Sequence, residues 1–287
     1  MNVPVANSSS VPAAAAPPPP AGPEVASAPD RSAPQGQGRR TGRVLARWAA
    51  LLLLFGGAGT ATASAVMSLD RSDVPGLATE SDGRWQYPEL TLPPLPSGSP
   101  LPFATGNEGY VHHADLRALL LPAPAGATPD EQLDGGWAST GRFVAEYAQD
   151  RRPALDQALA DSALRHIAAR GWTMPDGTKV RIYLLRFTSG AHADRFLEHD
   201  LRVTYATSTD LSAAPGNAVD REWSDTGASG GIQHYLFTEE TPPAGQHTRH
   251  GYLSAGDTLA LIIHERNGTS APLPFHQTVI LQGQLLS

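Results

Sequence analysis

An α+β fold, with an antiparallel sheet, helices packed on one face and a single transmembrane helix ahead of it, is what this 287-residue sequence predicts. Three observations carry that expectation. An uncharged apolar run, "WAALLLLFGGAGTATASAVM" at 48–67, follows a cluster of arginines. From about Tyr110 onward, short alternating segments are separated by Gly- and Pro-containing turns, the mark of half-buried strands. Between and after them stand stretches whose apolar residues recur at helical spacing. Strands grouped this way, with helices interspersed, favour an antiparallel sheet with helical cover.

Composition narrows the function classes. Basic residues number 21, and all but Lys179 are arginine, a coding habit of GC-rich genomes that suggests a bacterial source. The net charge of −7 argues against nucleic acid as a partner, because phosphate binding needs a basic face. There are no cysteines, so disulfides, thiolate-held zinc, iron–sulfur clusters and a cysteine-borne lipid are excluded.

Residues 1–43 are rich in Ala and Pro and read as a disordered cytoplasmic tail, since nothing there can bury apolar surface. Residues 44–69 read as a signal anchor. The 20 uncharged residues would span about 30 Å as a helix. Arg39, Arg40, Arg43 and Arg47 precede them, which puts the N-terminus inside and the rest outside. A cleaved leader is the rival reading. Ala61-Thr62-Ala63 and Ala63-Ser64-Ala65 fit cleavage patterns, but the 47 residues ahead of the run are long for a signal peptide. Residues 70–110 hold seven prolines and read as a stiff spacer, unless Trp85, Tyr87, Leu90, Leu92 and Leu95 pack along the domain.

Residues 111–287 form the expected extracytoplasmic domain. A short helix over Ala114–Leu120 stops at Pro122. "STGRFVAEYAQD" offers Ser139 or Thr140 as an N-cap, with Phe143, Val144 and Tyr147 on one face. "RPALDQALADSALRHIAARGW" predicts one long helix: Pro153 suits the first turn, Leu155, Leu159, Ala163 and Ile167 recur every four residues, and Gly171 ends it. "PDGTKVRIYLLRF" predicts a turn and a strand with Val180, Ile182 and Leu184 on one side. "SGAHADRFLEHDLRV" predicts a helix burying Ala193, Phe196, Leu197 and Leu201. "IQHYLF", "HTRHGYL" and "TLALIIHE" predict strands. The closing "PLPFHQTVILQGQLL" predicts a helix with Phe275, Val279, Ile280, Gln282 and Leu286 inward. The order turn, strand, glycine turn, helix occurs twice, at about 176–201 and 255–287, which raises an internal duplication.

Several motifs bear on catalysis. Gly227-Ala228-Ser229-Gly230-Gly231 spells the G-x-S-x-G of a nucleophile elbow, which needs a buried strand before it and a helix after it. Here polar "DREWSDT" precedes and strand-like "IQHYLF" follows, so the motif reads as a turn, and His234 is the base to check. His192 and His199 lie seven apart beside Asp194 and Glu198, which favours a solvated helix face over a metal site. His247 and His250, three apart on a strand, point to opposite faces. His112-His113 fits a surface loop. Asp220, Glu222, Asp225, Glu239 and Glu240 read as loop acids, because glycosidase chemistry requires two carboxylates across a cleft. No phosphate-binding or dinucleotide glycine motif is present. No catalytic, cofactor-binding or metal-ligating residue is assigned, and no cofactor is expected.

The Ala/Pro tail, the arginine-flanked apolar run, the proline-rich spacer and the cysteine-free domain resemble uncharacterised actinobacterial single-pass membrane-anchored envelope proteins. The pairing of "DGTKVRIYLLRFTSGAHADRFL" with "AGDTLALIIHERNG" and "FHQTVILQGQLL" is similar to their extracytoplasmic domains, some of which resemble the sensor domains of bacterial Ser/Thr kinases. This chain lacks the paired cysteines of the kinase sensors. The resemblance implies an extracytoplasmic α+β domain and transfers no functional residues. The expectation is a non-catalytic, membrane-anchored binding or sensing module. Its partners would be the membrane and an envelope protein or cell-wall component. A structural or assembly role in the envelope and an envelope hydrolase are the alternatives.

Overall fold

The middle of the sheet is apolar on both sides, which decides the architecture. In β3, Lys179–Phe187, Val180, Ile182 and Leu184 face one way and Tyr183, Leu185 and Phe187 the other, all buried. Its neighbour β7, Thr258–Asn267, repeats this with Ala260 and Ile262 on one side and Leu259, Leu261 and Ile263 on the other. The two pair antiparallel, Tyr183 opposite Leu261 and Leu185 opposite Leu259. A strand pair with no polar face must be covered above and below.

The structure, a computed structural model, describes residues 82–240 and 245–287. It is a seven-stranded, wholly antiparallel sheet in the order β1-β2-β3-β7-β6-β5-β4. The remaining strands are β1 (Thr128–Trp137), β2 (Leu164–Thr173), β4 (Asn217–Val219), β5 (Gln233–Glu239) and β6 (Gln246–Ala255). The edges are blunted, as lone edges need to be. β1 carries Asp130, Glu131 and Asp134 and buries only Leu133, while β4 has three residues.

The first face is covered by α1 (Thr140–Val144), α2 (Arg152–Asp161) and α3 (Gly190–Arg195), which runs on as a π turn at Phe196–Asp200. Ser139 caps α1 by accepting from the Arg142 amide. Phe143, Tyr147, Leu155, Leu159, Phe196 and Leu201 enter this core. The second face is covered by α4 (Pro272–Leu285), a 3-10 turn at Leu116–Leu119 and the extended chain before it. Trp85, Tyr87, Leu90, Leu95 and Phe103 pack there partly buried. In the described part of this proline-rich stretch, from residue 82 on, the chain packs along the domain, with Leu92 alone of Trp85, Tyr87, Leu90, Leu92 and Leu95 left exposed.

Two glutamines of α4 hold the rest of this cover, one at the extended chain and one at the end of the 3-10 turn. The Trp85 amide donates to Gln277 Oε1 (2.8 Å) and Gln277 Nε2 donates to the Trp85 carbonyl (2.9 Å). The Leu121 amide donates to Gln282 Oε1 (3.0 Å), and Gln282 Nε2 donates to the Leu119 carbonyl (2.8 Å). Each carboxamide mimics the reciprocal pairing of a neighbouring strand, which lets non-sheet backbone be buried with its polar groups satisfied.

The expected architecture is therefore corrected. The sheet dominates, the helices are few, and they lie on both faces because the central strands are apolar on both. Among the described residues no helix is long and apolar enough to cross a membrane. The run at 48–67, on which the expected transmembrane helix fell, lies outside the described residues, as does the tail at 1–43.

A second correction concerns the long helix expected across 153–171. It ends at Asp161, Ala163 takes a positive φ of 57°, and Leu164–Thr173 is strand β2. β2 lies between β1 and β3, and Ala168, Ala169 and Gly171 are small enough to be buried there. Ladder pairing on both edges outweighs the helix propensity of "ALADSALRHIAA". The hairpin–helix order does recur, as β2–β3–α3 and β6–β7–α4. A two-fold axis between antiparallel β3 and β7 would leave both helices on one face, yet α3 covers the first and α4 the second.

Replacing buried Gln282 by leucine keeps its bulk but leaves the Leu121 amide and Leu119 carbonyl unpaired. Gln282→Leu is expected to cost about 2–6 kcal/mol, at roughly 1–3 per orphaned group. Gln284→Leu, on the exposed side of the same helix, should stay within about 0.5 kcal/mol. Urea denaturation measures both; equal effects would remove the bridging role.

Candidate functional site

Four glycines line the largest cleft among the described pockets, and at each a Cβ would meet a neighbouring residue. Gly231 has φ +84°, and a Cβ there would stand 3.1 Å from the Phe103 ring. Gly256, at φ +56° in the β6–β7 turn, has the Tyr110 carbonyl where its Cβ would be. Gly190 opens α3 against the Gly256 backbone, and Gly109 lies in the loop before Tyr110. The cleft measures about 550 Å³. It sits at one end of the sheet, where β5 begins, β6 ends and β3 gives way to α3.

Its polar lining is partly committed. Ser254 donates to Asp194 Oδ1 (2.9 Å), and Tyr235 donates to Gln233 Oε1 (2.7 Å). The Ser189 hydroxyl lies 2.8 Å from His192 Nδ1. Glu108 adds a second carboxylate, Phe103 and Tyr110 supply the aromatic wall, and among the described residues no arginine, lysine or histidine lines the cleft. Beyond Gln233, exposed Tyr205 packs on Tyr235 at 4.9 Å between ring centroids. Burial, with Tyr205, Glu198 and Asp194 nearby, pushes the Tyr235 hydroxyl up to about 12, so it remains a donor at neutral pH.

The serine singled out by sequence is not among the residues that line the cleft. Ser229 is half-buried in the irregular connection from β4 to β5, Gly227 and Gly231 turn the chain with positive φ, and a strand follows it. His234 faces α4: its ring packs on Trp223 at 5.5 Å, and its Nε2 is buried without a partner beside Gly283. The serine that does meet a histidine is Ser189. That contact is local, Thr188 approaches the same Nδ1 at 3.2 Å, and no carboxylate is bonded to the ring among the described residues. A triad needs an orienting acid on the second nitrogen.

The histidine pairs are separated. His192 lines a groove with Asp161, Arg195 and Asp200; His199, carried round by the π turn, lines another with Arg151 and Arg202. His247 and His250 fall on opposite faces of β6, as strand spacing requires. His247 bridges the Ser270 amide and Thr238, while His250 stacks on Phe237. His112, expected in a surface loop, is buried: Nδ1 meets Asp257 at 2.7 Å and Nε2 meets the Leu286 carbonyl at 2.9 Å. His113 is exposed. Among the described residues no group of three or more His, Asp or Glu is placed to hold a metal ion.

The acids divide in the same way. Asp220 is buried between Arg249 Nη1 (2.8 Å) and His276 Nε2 (2.9 Å), a bridge that ties α4 to β6. Burial raises its carboxyl, but the His276 hydrogen bond and the Arg249 charge outweigh burial and hold it below the usual range. Glu222 reaches the same guanidinium at 3.4 Å. Asp225 accepts from the Trp223 indole, Glu239 takes the Thr248 amide, and Glu240 is exposed. Of the cleft residues, the motifs of the sequence include Asp194, as part of a solvated face, and Gly231, as the end of the G-x-S-x-G turn. Ser254, Gln233 and Tyr235 gave no motif, because they come together only through strand register: Gln233 lies opposite Ser254.

The chain matches no protein family and no curated protein. Among solved structures it resembles the extracellular domain of PknH from Mycobacterium tuberculosis, with a TM-score of 0.35 and 10% identity over 58% of this chain and 93% of that one. At that score and identity, neither the fold nor the function of that domain transfers.

Burial brings His250 and His264 down to about 3, against about 6.5 in an unfolded chain. The unfolded state therefore binds more protons between those values. Stability should fall as pH drops from 6.5 toward 3, by up to about 1.4 kcal/mol per pH unit for each group. His264 lies stacked on Trp85 and edge-on to Phe275 with neither ring nitrogen bonded. His264→Phe is expected to keep the packing and to flatten this slope by up to one proton, measured as the urea midpoint between pH 7 and 5. An unchanged slope would show that His264 titrates freely in the fold.

Proposed function

We propose that this chain is a non-catalytic binding module that works outside the cytoplasm and takes its ligand in the cleft between Phe103, Tyr110, Asp194 and Gln233. The observation that supports this most is the cleft's lining. It joins aromatic surface to a few fixed polar groups, the usual make-up of a ligand site. No nucleophile with a base and an orienting acid lines it among the described residues. An exported location rests on sequence: five arginines and then an uncharged run ahead of the folded part. The ligand would then be a molecule of the cell envelope.

Ala191 lies exposed on the cleft wall in α3, so a tryptophan there fills the cleft without disturbing the core. The melting temperature of the full chain should rise on adding solubilised envelope material, since a ligand bound to the native state stabilises it. Ala191→Trp should remove that rise while melting normally alone. A rise that survives Ala191→Trp would place binding elsewhere.

A further inference from the structure

Resting on that reading of the cleft, we propose that its ligand is a neutral, hydroxyl-rich saccharide. The charge of the lining comes first. Among the described residues, Glu108 and Asp194 are its only ionisable acids or bases besides Tyr110, so an anion would meet two carboxylates and no cation there. Phosphates, carboxylates and anionic polymers are disfavoured.

The hydrogen-bonding inventory separates the two ligand classes that remain, cations and neutral polyols. Ser254 occupies Asp194 Oδ1 and leaves Oδ2, an acceptor, without a partner among the described residues. Tyr235 occupies Gln233 Oε1 and leaves the Nε2 amide, a double donor, without one. A carboxylate accepts only, and a side-chain amide nitrogen donates only. An alkylammonium ion could satisfy Asp194 but would present nothing to Gln233 Nε2, because it has no acceptor. A hydroxyl both donates and accepts, so neighbouring hydroxyls of one sugar ring can serve both groups together. Phe103 and Tyr110, whose rings lie 5.8 Å apart, offer an apolar surface for the C–H face of the same ring, and Tyr110 is half exposed.

The test uses the full chain against an array of neutral oligosaccharides, with spermidine and inorganic phosphate as charged probes. Binding to at least one oligosaccharide is expected, changing less than about twofold between 50 and 200 mM salt, because neither partner charge is screened in a neutral contact. Gln233→Leu and Asp194→Ala should each weaken it about tenfold, the scale for losing a hydrogen bond or two, and Ala191→Trp should abolish it. Spermidine binding that outlasts Gln233→Leu and collapses with salt would overturn the saccharide assignment in favour of a cation, and phosphate binding would overturn it outright. If no oligosaccharide binds while the envelope-induced rise in melting temperature remains sensitive to Ala191→Trp, the ligand class is wrong and the cleft reading stands. If that sensitivity is also lost, both fall.

Discussion

Everything in this fold answers to the central strand pair. β3 and β7 are apolar on both sides, so their ladder is stable only under two separate covers. The first cover is made of short helices and the loop after the π turn. The second joins one long helix to an extended chain that could not be buried alone. Its backbone groups would be orphaned against the sheet, and a buried unpaired amide or carbonyl costs roughly what a hydrogen bond is worth. Gln277 removes that obstacle at Trp85 and Gln282 does the same for the end of the 3-10 turn, each offering the partners a strand would have given.

The same cover holds charge and aromatic rings where little water reaches. The Arg249–Asp220–His276 bridge fastens α4 to β6, and its worth lies in geometry, since breaking a buried ion pair leaves a charge uncompensated. Nearby, His264 is kept neutral between Trp85 and Phe275. The cleft arises where the covers fail to meet. Its walls come from both: Phe103 and Tyr110 belong to the second, Ser189 to Asp194 to the first, and the ends of β5 and β6 make its floor. A binding site at that seam needs no dedicated element.

What could be read from the sequence follows from range. β3, β5, β6, β7, α3 and α4 were legible because each carries its own alternation or helical period, and Ser139 announced its cap. β2 was misread because "SALRHIAARGW" has helical composition, and only its two neighbours make it a strand. Edge strand β1 escaped because it buries one side chain and shows no period. The placement of helices on both faces was implicit in "VRIYLLRF", whose two alternating sets are both apolar, yet it was read for one set only. The cleft was invisible for a different reason. Gln233 and Ser254 are neighbours by register, and Tyr110 reaches Gly256 through a backbone contact that no local pattern encodes.

The β3–β7 ladder also imposes an order on folding. β1 to β3 form one meander and β4 to β7 another, each from contacts close in sequence, but the seam between them joins strands separated by residues 188–257. During synthesis β3 is complete long before its partner exists. In that interval it presents an unpaired edge with greasy side chains above and below, the kind of surface on which chains aggregate. Closing a loop of this length costs entropy before any pairing repays it, so the joining of the two meanders is the expected slow step. The strand that makes the mature domain cohesive is thus the one that leaves the nascent chain most in need of a chaperone.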